Sequence, residues 1–380
     1  MPRKCLTFAF SCKAQLLMII LLALTAVLLG QSQPRQLAGK AAKRITITDR
    51  LELGRVIHAK LEAGQPNSYV VALEAGQYMR VVVSKSDLAI ALRLLSMDRT
   101  QTFLALTLRG PVSRREPICW IAKVSGYYRL ELAAFEEVAG TQAYTIQLAE
   151  LRTSVPVDEK RIVAQGLFDQ ARASIMQGRP QKAVEILQRA LPLSRDAKDL
   201  EREAAELSSI GLACVQMSQH EKAISFSEQA LAVWREIKDR QEEGNTLANL
   251  GFACSNIGEY ERAIAYLEQA LAIKRETNDQ QGQGAVLGLL GTAYSSVNDY
   301  EKAIAYLEQS LGIERAVANR EVEGETLASL GYAYLRLTQY EKAVRNYEQA
   351  LTVKRETGDH RGEANALSNL GDAVATENSV

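Results

Sequence analysis

Histidine, cysteine and tryptophan are scarce in this chain, and their scarcity narrows its chemistry. The three histidines, His58, His220 and His360, leave no local Ser-His or Cys-His pairing of the kind nucleophilic catalysis uses. Of the five cysteines, Cys5 and Cys12 lie in the extreme N-terminus, so at most one disulfide could form among Cys119, Cys214 and Cys254. Their wide spacing also lacks the close ligand pairs of a zinc site. No Gly-rich phosphate loop, no His-Glu-x-x-His and no Gly-x-Ser-x-Gly occurs. Neither sign of charge is in excess, but the balance hides an asymmetry. Residues 157–380 hold 25 Lys/Arg against 34 Asp/Glu, which does not suit a phosphate-binding surface and argues against a nucleic-acid partner. The pattern is that of a non-enzyme with no catalytic residue, no metal and no cofactor.

At 380 residues the chain exceeds the usual length of one domain, so two or more folding units are expected. The first 13 residues carry Arg3, Lys4 and Lys13 without an acid, and Ala14–Leu29 is apolar except for Gln15 and Thr25. A basic start, a short apolar core and small residues after it are the layout of a secretory signal peptide, here residues 1–32 with cleavage after Gly30 or Ser32. The alternative is an N-terminal anchor facing outside the cytoplasm. As a helix the apolar run spans only about 24 Å, short of a hydrocarbon core of about 30 Å. No cysteine follows the run, which argues against lipoprotein processing. The expected location is therefore periplasmic or extracellular, with membrane contact only through this segment if it is retained.

Between Ile45 and Leu151 the hydrophobic period is two. Tyr69/Val71/Leu73, Leu88/Ile90/Leu92/Leu94, Tyr128/Leu130/Leu132 and Tyr144/Ile146/Leu148 alternate, separated by turn sequences such as Ala75-Gly76-Gln77 and Ser125-Gly126. Seven or eight short strands in residues 45–151 predict an antiparallel β-sandwich. The stretches Leu51–Val83 and Ser125–Leu132 resemble the sandwich that precedes repeat arrays in secreted bacterial proteins, many of which end in a caspase-like CHAT protease domain. They are also similar in style to the pre-peptidase C-terminal domains of exported hydrolases. Asp87 and Asp98 are isolated, so the calcium site of some such domains is not carried over. His58 sits in one of the strands and is read as a packing or surface residue.

Residues 152–158, with Pro156 at the centre, are expected as a linker. After it a 40-residue unit recurs, marked by Gly211, Gly251, Gly291, Gly331 and Gly371; the run Ala263–Gln269 returns unchanged as Ala303–Gln309. Leu247, Leu250, Gly251 and Cys254 form one helical stripe and Ala263, Ile264, Leu267, Ala270 and Leu271 the stripe of a partner helix, with Gly258-Glu259-Tyr260 as the turn between. A degenerate copy, with Leu167, Ala171, Ala183 and Leu187 in the same columns, starts the array near residue 158. The expectation is five helix pairs over 158–375, ending on one further helix. Cys214 and Cys254 share a column with Tyr294 and Tyr334, and His220 shares one with Tyr260, so all three are assigned to packing. Gly358 is expected to end one helix and Asp359 to cap the next. Paired carboxylates such as Glu242 and Glu243 fall at repeat edges and are expected to be solvated.

These columns are similar to those of tetratricopeptide repeats, with 40 residues in place of the usual 34. The fold class is thus two-domain: an N-terminal all-β sandwich followed by an all-α tetratricopeptide-repeat solenoid. The longer copies resemble those of kinesin light chains and LGN/Pins polarity proteins, and that resemblance implies binding of an extended peptide along a concave groove. Helical geometry sets Asn245, Phe252 and Asn256 about 145° from the packing stripe. The candidate groove face comprises Asn245, Asn249, Phe252, Asn256, Thr292, Ser296, Tyr332 and Arg336, where carboxamides would bond a peptide backbone and Phe252 and Tyr332 anchor apolar side chains. The Lys/Arg set with which chaperone-binding repeats hold a C-terminal carboxylate is missing. The expected function is an exported protein-interaction scaffold with a protein or peptide partner. Alternatives are a regulatory subunit or truncated relative of a CHAT-type protease system, and a polymer-binding sandwich on a helical spacer.

Overall fold

In the computed structural model, which describes residues 49–62, 65–85, 90–108, 115–134 and 142–377, strands give way to helices at Pro156. The expected signal segment, 1–32, lies outside the described residues, as does Leu88. Nine strands are described: β1 (Asp49–Arg50), β2 (Val56–Leu61), β3 (Asn67–Leu73), β4 (Gln77–Lys85), β5 (Ile90–Ser96), β6 (Thr102–Leu108), β7 (Arg115–Ile121), β8 (Gly126–Ala134) and β9 (Gln142–Thr153). They form one sheet of order β1-β3-β8-β5-β6 and another of order β2-β9-β4-β7. Every pairing is antiparallel except β1 with β3, which is parallel, a departure from the purely antiparallel expectation.

The alternating residues of the sequence are the core between the sheets. Tyr69, Val71 and Leu73, Ile90, Leu92 and Leu94, and Leu130 and Leu132 come from the first sheet; Val81, Val83, Ile118, Ile146 and Leu148 come from the second. Period-two patterning puts these side chains on one face of each strand, so register and core are set together. Two tyrosines carry polar tips into this core and satisfy each other. The hydroxyls of Tyr69 and Tyr144 lie 2.6 Å apart across the sheets, and Asn67 Nδ2 donates to Tyr144 at 2.7 Å. On the other face of the first sheet, Glu131 is buried and neutralised by Arg93, Arg99 and Arg129.

Residues 152–158 are not a free linker. β9 runs to Thr153 and helix α1 (Pro156–Met176) begins three residues later, with proline at its first turn and Val155 N–H donating to the Asp158 carboxylate. Arg152 bonds that same carboxylate at 2.6 Å and lies over the Tyr78 ring. Gln165 of α1 accepts from the Cys119 backbone N–H of β7 at 2.9 Å. Strand domain and first helix are thus joined by hydrogen bonds that a loose connection would lack.

The remaining helices are α2 (Pro180–Asp196), α3 (Leu200–Gln216), α4 (His220–Glu236), α5 (Arg240–Asn256), α6 (Tyr260–Glu276), α7 (Gln280–Ser296), α8 (Tyr300–Ala316), α9 (Arg320–Arg336), α10 (Tyr340–Glu356) and α11 (His360–Glu377). From α3 on, first helices begin every 40 residues, and second helices begin 20 after them. The described residues divide into two compact units, 49–209 and 210–377. Helices end through a left-handed residue: Gly258 (φ 83°) within a pair, Gly358 (φ 70°) between pairs, with Lys238, Asn278 and Ala318 holding the Gly358 column at greater strain. Asp239, Asp279 and Asp359 then accept from the backbone N–H groups of Glu242, Gly282 and Gly362, capping the next helix.

The recurring glycine is where the helices of a pair cross. A Cβ on Gly251 would stand 2.5 Å from Leu267 Cγ, and one on Gly331 would stand 2.7 Å from Tyr347; Gly291 is equally crowded by Leu307. Small residues in this column let the two backbones approach. Cys119, Cys214 and Cys254 are free and buried, which fits the packing assignment of the last two. Among the described residues no helix is long and apolar enough to cross a membrane.

Candidate functional site

The candidate groove residues fall on α5, α7 and α9, which are neighbours within the unit 210–377. Phe252, Thr292 and Tyr332 occupy one column, 40 residues apart, and Asn256, Ser296 and Arg336 another. Asn249 is half-buried on the same helix as Asn245. Ser296 and Arg336 are exposed, and Asn256, Thr292 and Tyr332 are half-buried. Asn256 donates to Phe252 O, Thr292 to Gly288 O and Ser296 to Thr292 O, bonds local to their own helices. Tyr332 packs edge-on against Tyr300, over which Arg336 lays its guanidinium at 5.3 Å. That aromatic and cationic group stands at the far end of a row of carboxamides and hydroxyls.

Two residues depart from the sequence reading. Phe252 is 1 % exposed, so its ring is part of the interior and does not anchor a ligand side chain. The physical reason is that α5 packs on the second helices on both sides of it, α4 and α6, and on α7, burying more than one stripe. Asn245 is committed internally: its Oδ1 accepts from Lys274 Nζ and its Nδ2 donates to Glu242 at 3.2 Å. Glu242 and Glu243 are likewise buried, not solvated. Glu243 receives Arg235 at 2.9 Å and Arg240 at 2.5 Å, which offsets its loss of water.

A second set of charges was missed by sequence reasoning although its signal was there. Trp234, Lys274, Glu314 and Lys354 share one column near the ends of second helices, and all four are buried. Lys274 bonds Asp279 at 2.8 Å and Lys354 bonds Asp359 at 2.9 Å. Burial by itself would raise the Asp279 carboxyl, but the Lys274 ammonium and the Gly282 N–H hold it below the ordinary value. Glu314 lacks such a cation. Burial pushes it up to about 7, and its Oε2 has no hydrogen-bond partner. Glu325, beside Lys354, is also pushed up to about 7 by burial. His220 is half-buried and its imidazole is pushed down by burial; His58 and His360 are exposed. Among the described residues no His/Cys/Asp/Glu cluster is suited to a metal ion.

The tetratricopeptide repeat family model matches residues 202–276, 257–316 and 322–378, and this half of the chain is a tetratricopeptide-type helical array. A search by sequence among curated proteins finds no match. Among solved structures, a signal-transduction ATPase with a tetratricopeptide repeat sensor from Pyrococcus horikoshii is similar at a TM-score of 0.50 and 21 % identity, over 57 % of this chain. The apo form of RapI is similar at 0.50 and 16 % identity, over 58 %. The chain spans 34 % of that ATPase and 65 % of RapI. Kinesin-light-chain-like repeats from Podosopora anserina match at 0.45 and 22 % identity, covering 53 % of this chain and 97 % of that one. The two likenesses at a TM-score of 0.50 show the helical-repeat fold.

Proposed function

We propose that the chain is a non-enzymatic interaction scaffold, exported by its N-terminal segment, that binds an extended segment of a protein partner across α5, α7 and α9. The observation that carries this reading is the alignment of Asn249, Asn256, Thr292, Ser296, Tyr332 and Arg336 on three consecutive first helices of one unit, each partly or fully exposed. Carboxamides and hydroxyls bond a peptide backbone without demanding a particular sequence, and the Tyr332/Arg336 pair selects an apolar or acidic side chain at one end. The basic, then apolar N-terminus supports export. Capture of the partner from envelope extract by the full chain is expected to fall about tenfold when Asn249→Ala and Arg336→Ala are combined, since the pair removes one contact at each end of the row. Unchanged capture by a variant with native circular dichroism would remove the groove from the reading.

A further inference from the structure

On the outer face of the first sheet, three arginines surround one carboxylate. Glu131 of β8 pairs in register with Ser68 of β3 and with Arg93 of β5, and Arg129, two residues before it on β8, stands in register between Val70 and Leu95. Arg99 reaches the same carboxylate from the turn between β5 and β6. Alternation along β8 sends Tyr128 and Leu130 into the core, so Arg129 and Glu131 both face away from it. Glu131 is 1 % exposed, and Ser68 is buried beside it. A carboxylate removed from water needs a compensating cation, but three are more than its own charge calls for.

The three guanidiniums carry more donors than this carboxylate accepts. Arg99 bonds Oε1 through Nε at 2.7 Å and again through Nη2. Ser68 Oγ donates to that same oxygen at 3.4 Å, and Arg93 Nη2 reaches Oε2 at 3.3 Å. Arg129 is left over. Its Nη1 stands 3.9 Å from Oε1, beyond a hydrogen bond, and its Nε is buried with no acceptor among the described residues. Buried donors in native folds are nearly always satisfied, so an orphan of this kind marks a place for a further acceptor. The charges agree: three guanidiniums against one carboxylate leave two positive charges in surplus, and Arg93, whose side chain is half in water, opens the group to the outside. The planar fork of arginine matches the oxygens of carboxylate, phosphate and sulfate, and a surplus of two charges favours the doubly charged groups.

We propose that this face of the first sheet binds a doubly charged oxyanion, a phosphate or sulfate group, through Arg129 and Arg93, while Glu131 and Arg99 hold the cradle in place. The site lies wholly within the unit 49–209, and the proposal does not depend on the groove across α5, α7 and α9.

The test is calorimetric titration of the full chain with inorganic phosphate, sulfate and acetate above neutral pH and at fixed ionic strength. Saturable binding of phosphate and sulfate at one site per chain is expected, about tenfold tighter than acetate or better. Arg129→Met keeps the packed stem and removes the guanidinium, and should weaken binding about tenfold or more, the effect of losing a charge-assisted hydrogen bond. Arg93→Gln should do the same from the solvent side, and supplies the reading if Arg129→Met does not fold. Lys60→Gln, an equal loss of charge from an exposed position on the second sheet, should leave binding unchanged. A polyphosphate chain that binds more tightly per phosphate than the free ion would assign a group carried on a polymer, and equal binding a free ion. The proposal is overturned by absence of saturable phosphate and sulfate binding, by acetate binding equally well, or by Lys60→Gln weakening binding as much as the arginine variants when all have native circular dichroism.

Discussion

Adding a single methyl group at Gly291 tests the helix-crossing geometry most directly, because the same substitution at Gly371 meets open space. At Gly291 a Cβ would overlap Leu307 Cγ, stand 2.7 Å from its Cδ2 and 3.2 Å from Ala303 O. Leu307 is buried, and the alanine carbonyl is backbone, so neither neighbour yields cheaply. Overpacking of this kind costs about 1–3 kcal/mol, and three simultaneous contacts put Gly291→Ala toward the upper end. Alanine returns about 1 kcal/mol of helix propensity at either position. Gly291→Ala should therefore lower stability by about 2 kcal/mol, while Gly371→Ala should raise it by up to about 1 kcal/mol. Urea unfolding followed at 222 nm gives the totals, and hydrogen exchange separates α7 and α8 from α11, since repeat arrays need not unfold as one unit. If Gly291→Ala stabilised the chain as Gly371→Ala does, the claim that glycine is there for close approach would be wrong.

Glu314 is 2 % exposed and its carboxyl is raised from 4.5 to about 7, so it favours folding in its neutral form and loses that contribution as pH rises from about 4.5 through 7. Over that window the native chain should lose roughly 3 kcal/mol at this site, and Glu314→Gln should flatten the loss; thermal melts at pH 5 and pH 8 that respond identically in both proteins would refute it. Ala318 holds a left-handed φ of 55° in the column where Gly358 stands, so Ala318→Gly should stabilise by about 1 kcal/mol in urea titrations. A loss of stability there would mean that the strain is not borne by Ala318.

The strand core was legible because alternation along a strand maps directly onto its two faces, and Tyr69, Leu92, Leu130 and Ile146 all lie where that rule puts them. The parallel β1 pairing was not legible. Two residues carry no period from which a partner could be read. In the helical half, the equivalence of Cys254 with Tyr294 led to their burial as packing residues, and Gly358 and Asp359 end and cap helices as their chemistry requires. The candidate face was read from one stripe on an isolated helix, which placed Asn249, Thr292 and Arg336 on accessible surface but misjudged Phe252 and Asn245.

By itself, then, the sequence determined the 40-residue unit, its crossing glycine and its caps, because those depend on contacts within one helix or one pair. Only the tertiary structure decided that Phe252 is interior, that Lys274 and Glu314 are buried with and without a counter-charge, and that α11 leaves Leu367 and Gly371 uncovered. Each of those depends on how many neighbouring helices a given helix touches, a quantity that the periodicity of a single segment does not carry.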